Sequence, residues 1–366
     1  MLLLPLFLLS PIMFAKRFIV TSRSSILNLQ KLGYREPSED SVEIGSITFH
    51  FVESDEPPFH FYNNENVLHV EEDSIFSINA LYDRQENPEW FLDRIDQRSP
   101  VLNSRYFSQK TGGKGVLNYV MDTGIDIKHP EFEKRAVWGA NFADSEGPDG
   151  CMDSHGTHVA GLIGSKSFGV AKKTTLISIK VLDCKGGGST SNVIRGINYA
   201  VNDPLQGFKV INLSLGGKVS IALNRAIREA SNKNIFVLAA AGNENSDACN
   251  TSPASEPSAI TVGSFERGDK ISYFSNWGKC VDIFSPGSRI KSTVPGGRTE
   301  ILDGTSQATP IVAGVVSLIL SSSVRTKIIT PSEMKSFLSI TSTNDILSGN
   351  LHGSPNKIIF SLSYMV

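Results

Sequence analysis

Three short stretches of this chain hold side chains able to perform acyl-transfer chemistry together. Asp122 lies in KGVLNYVMDTGID at 114–126, His155 in MDSHGTHVAGLIG at 152–164, and Ser306 in DGTSQATPIVAGVVSLIL at 303–320. In such a set the carboxylate holds the imidazole, the imidazole takes the serine proton, and the alkoxide attacks an acyl carbon. The flanking residues say how each group is delivered. Val116, Leu117, Tyr119, Val120 and Met121 predict a continuous apolar strand of a parallel sheet, with Asp122 at its carboxyl end and Thr123 and Gly124 turning the chain. His155 enters a small-residue helix whose Gly156 and Gly161 allow close packing. The run after Ser306 has no polar face and predicts a helix buried on all sides, with Pro310 in its first turn. A serine at that N-terminus meets free backbone N–H groups and the positive end of the dipole, where an oxyanion is stabilised. Taken alone, the stretch reads equally as a core helix capped by Thr305 or Ser306.

DTGID, SHGTHVAG and GTSQATP, in the order Asp, His, Ser, resemble the three signature blocks of the subtilisin-like serine proteases. The wider match spans about residues 83–365 and is most similar to the proteinase K and aqualysin branch. The resemblance implies an α/β fold of three layers with a mostly parallel central sheet. It assigns Asp122, His155 and Ser306 as the catalytic triad, with the Asn243 side chain and the Ser306 backbone N–H as the oxyanion hole. Gly186, Gly187 and Gly188 become the edge on which an extended substrate pairs, and glycine leaves such an edge unobstructed. Ser214, Leu215 and Gly216 on one side, and Ala240, Ala241 and Gly242 on the other, become walls of the primary specificity pocket. Neither wall carries an acidic residue, so aromatic or large aliphatic residues are expected there rather than basic ones.

Calcium is the cofactor implied by the same resemblance. Pro257 and Ala259 would offer carbonyls and Asp282 a carboxylate to one ion, and Asp93, Asp96 and Gln97 belong to a second loop whose other ligands are altered; oxygen donors of this kind suit calcium. Four cysteines in a secreted chain allow two bridges in three connectivities. The resemblance pairs Cys151 with Cys184 and Cys249 with Cys280, with Cys151 displaced by one position from the family pattern. Two further departures are Gln307 and Ile311, where the family usually has Met and His. They leave a second reading, a catalytically silent subtilase acting as a binding or scaffolding protein. An α/β-hydrolase esterase needs G-x-S-x-G and the order Ser, Asp, His, and the chain has neither. His155 and His158 are three apart and do not make the H-E-x-x-H arrangement, so His158 reads as a packed core histidine.

The N-terminal part differs in kind. Residues 1–15, MLLLPLFLLSPIMFA, read as a cleavable secretory signal, too short and too broken by proline for a membrane span. Residues 16–82 hold 5 basic and 11 acidic residues against 30 and 26 in 83–366. Strand patterns at RFIVTSR, VEIGSITFHFVE and NVLHVEED, with a helix at SSILNLQKLGY, resemble the small α+β (ferredoxin-like) inhibitory propeptide of secreted subtilases. The opposite charges favour its docking on the catalytic domain. Its histidines, His50, His60 and His69, are candidates for loosening it at acidic pH. Cleavage is expected after about Tyr82. The formal charge of −2 lacks the basic excess of a nucleic-acid binder. The expected product is a monomer with protein or peptide substrates and its own propeptide as inhibitor, carrying no membrane span once the signal is removed. Its place is the secretory pathway, extracellular or else vacuolar or wall-associated.

Overall fold

The computed structural model describes residues 16–23, 41–54, 61, 64–73, 82–143, 155–322 and 330–362. Two units divide between Asn79 and Ala80. In the first, strands β1 (Lys16–Ser22), β2 (Ser41–Ile44), β3 (Ile47–Ser54) and β4 (Val67–Glu72) form an antiparallel sheet in the order β2-β3-β1-β4. Alternation places Phe18, Val20, Val52 and Val70 inside, and Val20, Val52 and Val70 pack with Phe61 in a small core. The run expected as one strand, VEIGSITFHFVE, is a hairpin instead. Gly45, at φ +64°, turns it back between Ile44 and Ile47. His50 is buried against Ser22 and His69 lies beside Glu71 at the surface. The expected helix at 24–34, the signal at 1–15 and His60 lie outside the described residues.

The second unit begins with β5 (Tyr82–Glu86), α1 (Trp90–Ile95), β6 (Arg105–Gln109), β7 (Val116–Asp122) and β8 (Ala136–Asn141). Then come α2 (His155–Gly164), β9 (Thr175–Lys180), α3 (Thr190–Asn202), β10 (Phe208–Leu213), β11 (Gly217–Lys218), α4 (Ile221–Asn232), β12 (Phe236–Ala240), β13 (Thr251–Ser252) and β14 (Ile260–Glu266). The chain closes through β15 (Lys270–Ile271), β16 (Ile283–Pro286), β17 (Ile290–Val294), β18 (Arg298–Leu302), α5 (Thr305–Ser321), α6 (Pro331–Thr341), β19 (Thr343–Asn344) and β20 (Lys357–Ile358). Tyr82, the expected cleavage residue, is the first of β5 and pairs with Gln109 of β6.

A central sheet runs β19-β20-β16-β14-β12-β10-β7-β9-β8, parallel from β8 to β20, with β15 and β19 antiparallel on it. Every residue of β7 is buried, as its unbroken apolar pattern requires of a strand covered on both faces. On one face α2 and α5 pack with Val116, Val120, Val210, Leu238 and Val262. On the other, α3 and α4 cover Tyr119, Met121, Ile179, Ile211 and Val237. The result is the expected three-layer α/β fold.

Strand β7 has β9 on one side and β10 on the other; the chain first completes the β9 side, with β8 at the edge and β9 between, and then crosses to build β10, β12, β14 and β16 outward on the other. The order therefore reverses at β7, and such a point opens a crevice at the carboxyl ends of its strands. Helix α2 starts at that edge because Gly156 lets it sit directly on the turn after β7. A β-carbon at 156 would stand 2.2 Å from the Gly124 carbonyl oxygen. Gly156→Ala is therefore expected to destabilise the fold by about 1–3 kcal/mol, the usual range for overpacking, read as a lower midpoint in urea.

Candidate active site

Asp122 ends β7 fully buried, where an ionised carboxylate persists only if donors hold it. Its Oδ1 accepts the Thr123 N–H at 2.7 Å and lies 2.8 Å from His155 Nδ1, with Oδ2 at 3.0 Å from the same nitrogen. Nδ1 is thus the protonated nitrogen facing the acid. Thr123 also accepts the Gly156 N–H on its hydroxyl at 3.1 Å, which fixes the start of α2 to the strand end that carries the acid. On the other side, the buried Lys180 donates to the Thr123 and Leu182 carbonyls, both at 2.9 Å.

Ser306 is the second residue of α5. Its hydroxyl donates to the Ser214 carbonyl at 3.1 Å, while the Ser214 hydroxyl donates to the Ser306 carbonyl at 2.8 Å. Pro310 explains the second bond, and it lies in the second turn of α5, not the first as the sequence reading had it. A residue at 310 would normally donate its N–H to the carbonyl four positions earlier, which is that of Ser306. Proline has no N–H, so this carbonyl is left for Ser214. Asn212 Nδ2 in turn donates to Ser214 Oγ at 2.9 Å. The serine is thereby clamped to the end of β10 through both its main chain and its side chain.

Asn243 follows β12. Its Oδ1 accepts from Thr305 N at 2.8 Å and from Thr305 Oγ1 at 2.9 Å. With the carbonyl end fixed, the amide nitrogen is turned toward Gly304. A β-carbon at 304 would lie 3.5 Å from both Asn243 Nδ2 and Ser306 N, and 2.8 Å from Gln307 Oε1. Gly304 has φ +153°, which disfavours any side chain. Its bare α-carbon keeps open a small space flanked by two N–H donors. Gln307 is buried beside it and Ile311 is packed in the core.

An open cavity of about 930 Å³ is lined by His155 and Thr123, by Gly186, Gly187 and Gly188, and by Ser214, Leu215 and Gly216. Val219, Leu223 and Ser252 extend its floor and far side, a contribution that the sequence reading missed. Of the residues expected as the second wall, Ala240 and Ala241 are buried, Ala241 in a core cluster with Ala248 and Phe265, and Gly242 donates its N–H to Thr305 Oγ1 at 3.2 Å, which ties it to the start of α5. Thr123, Lys180 and Thr305 were also missed, because their roles depend on main-chain partners that no motif records.

Cys249 and Cys280 form the expected disulfide. Cys184 is also disulfide-bonded, and Cys151 lies outside the described residues. The expected calcium oxygens separate into two cases. Pro257 O, Ala259 O and Asp282 Oδ2 do converge, but on the ammonium of Lys335, at 2.9, 2.9 and 2.8 Å. A cradle already holding a cation does not fit a calcium ion. Asp96 differs: its carboxyl is fully buried, Oδ2 accepts from Phe107 N at 2.7 Å, and Oδ1 has no partner among the described residues. Burial, together with the charge of Asp93, pushes it up to about 7. Asp93 accepts from the Asn103 and Ser104 N–H groups, and Gln97 Nε2 donates to Ser99 O and to Val101 O. An orphaned carboxylate oxygen beside a second acid fits a cation.

A buried carboxylate bonded to an imidazole, a helix-terminal serine bonded to the end of β10, and a parallel sheet covered on both faces agree with the subtilisin-like class. The subtilase family model matches residues 113–356, and the chain belongs to that family. It is 44% identical over 260 residues to "Subtilisin-like protease 7" of Arthroderma otae, covering 70% of this chain and 64% of that protein. It is 42% identical over 305 residues to "Alkaline serine exoprotease A" of Vibrio alginolyticus, covering 82% of this chain and 56% of the relative. The chain therefore spans less than two thirds of the length of these relatives. The crystal structure of a cold adapted subtilisin-like serine proteinase superposes with a TM-score of 0.71 at 43% identity, over 76% of this chain and 99% of that one.

His158, one helical turn after His155, is a core residue, as expected. Its Nε2 donates to the Ile290 and Glu300 carbonyls at 3.1 and 3.2 Å, and burial pushes it down to about 4 from 6.5. The unfolded chain then binds a proton below about pH 6.5 that the folded one refuses. The stability His158 supplies is whole above that pH and is lost as pH falls toward 4, up to about 3 kcal/mol. His158→Gln, which keeps an N–H donor but cannot titrate, should show a flatter loss of stability between about pH 7 and pH 4.5. Urea unfolding of both proteins at the two pH values checks this.

Proposed function

We propose that the protein is a serine endopeptidase, made as a self-processing zymogen and delivered to the secretory pathway. The observation that carries the reading is the buried Asp122 bonded to His155 beside the cavity whose Ser214 clamps Ser306. In the mechanism, His155, oriented by Asp122, accepts the Ser306 proton as the hydroxyl turns from the Ser214 carbonyl toward the imidazole. The freed oxygen attacks the substrate carbonyl. Negative charge then develops in the space bounded by Gly304, where Asn243 Nδ2 and Ser306 N can donate to it. His155 passes its proton to the leaving amine. Water then attacks the acyl-enzyme with His155 again as base, and Ser306 is regenerated.

The cavity supports an extended peptide laid along Gly186–Gly188, with a large apolar side chain inserted among Leu215, Val219 and Leu223. No carboxylate lines it among the described residues, in keeping with aromatic or large aliphatic preference. The acidic segment 16–82 is proposed as the inhibitory propeptide, and Tyr82 suits the enzyme's own cavity as the residue before the cut. No helix among the described residues is long and apolar enough to cross a membrane, compatible with a secreted monomer. Calcium is proposed at Asp93, Asp96 and Gln97 as a structural ion, outside the chemistry.

Expression of the full chain beside Ser306→Ala tests the reading. Loss of both self-cleavage and peptide hydrolysis in the variant alone is expected; equal behaviour of the two proteins would replace the protease with a scaffolding role. Asn243→Leu should lower kcat about 10²–10³-fold, the range known for subtilisin itself and carried over from it. Gly304→Ala, which fills the same space, should lower kcat more than it raises KM, read by steady-state kinetics on a peptide substrate. Calcium should raise the unfolding midpoint, by about 2.7 kcal/mol at a hundredfold excess over its Kd, and Asp96→Asn should abolish that rise in a thermal melt.

A further inference from the structure

The cradle at Pro257, Ala259 and Asp282 has the donor chemistry of a cation site, and this chain fills it from within. We infer that the Lys335 ammonium is a tethered replacement for a structural metal ion, so that this corner of the fold is complete without calcium.

The geometry matches an ammonium well. Nζ carries three N–H donors, and three acceptors meet it at 2.9, 2.9 and 2.8 Å. Calcium would draw the same oxygens to about 2.3–2.6 Å and require several more. Its two charges would also face that of the lysine across a few ångströms. Charge is matched, one carboxylate to one ammonium, and both side chains are mostly shielded, Lys335 at 30% and Asp282 at 20% exposure. Among the described residues no cluster of three metal-ligating side chains occurs here or elsewhere.

Lys335 reaches the cradle because α6 is fixed at its start. Thr330 and Glu333 form a reciprocal capping box, with Pro331 in the first turn. The cradle in turn joins separate segments. Asp282 Oδ2 also accepts the Thr261 N–H at 2.8 Å, and Cys280, two residues earlier, is bonded to Cys249. The segment that supplies both carbonyls continues from β13, whose Ser252 lines the substrate cavity. The ammonium thus ties α6, the 257–259 loop and the 282 loop into one unit. This inference concerns folding alone and stands whether or not the protein is a protease.

The test uses the full chain in a Ser306→Ala background, which prevents self-digestion, and compares it with Lys335→Ala by thermal melts in chelator and in calcium chloride. Any calcium response common to both proteins belongs to the Asp96 loop. Lys335→Ala is expected to melt lower in chelator by roughly 3–6 °C, and to recover most of that deficit in calcium, because the emptied cradle then accepts the ion. Adding Asp282→Asn to Lys335→Ala should abolish the recovery. Lys335→Arg, which keeps a cation, should gain no extra calcium response. If Lys335→Ala does not accumulate, Lys335→Gln supplies a neutral side chain of similar length and is read in the same way. An unchanged midpoint in chelator would overturn the inference, and so would a lowered midpoint that calcium leaves where it is. A calcium response of the Lys335-bearing protein that Asp282→Asn removes would also overturn it, since the ion would then be displacing the lysine.

Discussion

The structure depends on a carboxyl group buried at the end of a sheet strand and held by two donors. Asp122 has no exposed surface, and an unpaired charge there would cost several kcal/mol. The cost is offset by short bonds from Thr123 N and His155 Nδ1. Both partners can be present only because α2 begins within one turn of the strand end, and it begins there only because residue 156 has no side chain. A buried charge, a close helix approach and an imidazole orientation are therefore a single arrangement. Weakening any of them leaves the others unsupported, as expected of partly satisfied polar networks in low dielectric.

The nucleophile is placed by an opposite device, a bond left unmade. An unbroken α5 would use the Ser306 carbonyl within the helix. Pro310 withholds the donor, and the carbonyl becomes the acceptor that joins α5 to β10 through Ser214. Thr305 completes the junction by holding Asn243 Oδ1 and receiving the Gly242 N–H on its hydroxyl. One turn of helix thus meets the ends of β10 and β12. The Ser306 N–H lies beside a space that the bare glycine at 304 keeps open.

Much of this was legible beforehand. The mainly apolar runs at 116–121, 208–213 and 236–240 pointed to buried parallel strands, because strands covered on both faces lack a regular polar alternation. The three motif blocks marked Asp122, His155 and Ser306, and the family likeness marked Asn243, since those residues would act through their own side chains. What stayed hidden acts through the main chain. The hairpin at Gly45, the second-turn position of Pro310 and the bond from Gly242 to Thr305 depend on which carbonyl or N–H is left over once the elements pack. Family likeness pointed to the oxygens at 257, 259 and 282 as calcium ligands and said nothing of Lys335, because the cation they meet comes from a helix over fifty residues away.

That partner bears on how a fold can hold a cation at all. A bound metal brings more ligands and stronger bonds, but its occupancy follows its concentration outside. A lysine brings one charge and three donors, gives up about 2 kcal/mol of rotamer freedom when ordered, and is present in every folded molecule. The exchange is favourable where the site has few charged ligands and only one carboxylate to neutralise. Pro257, Ala259 and Asp282 make such a site. Asp96 and Asp93 bring two carboxyl groups together with no basic side chain bonded to Asp96 among the described residues, and a doubly charged ion suits such a pair better than one ammonium. The two loops that resemble calcium sites therefore call for different cations, and the count of their acids decides which.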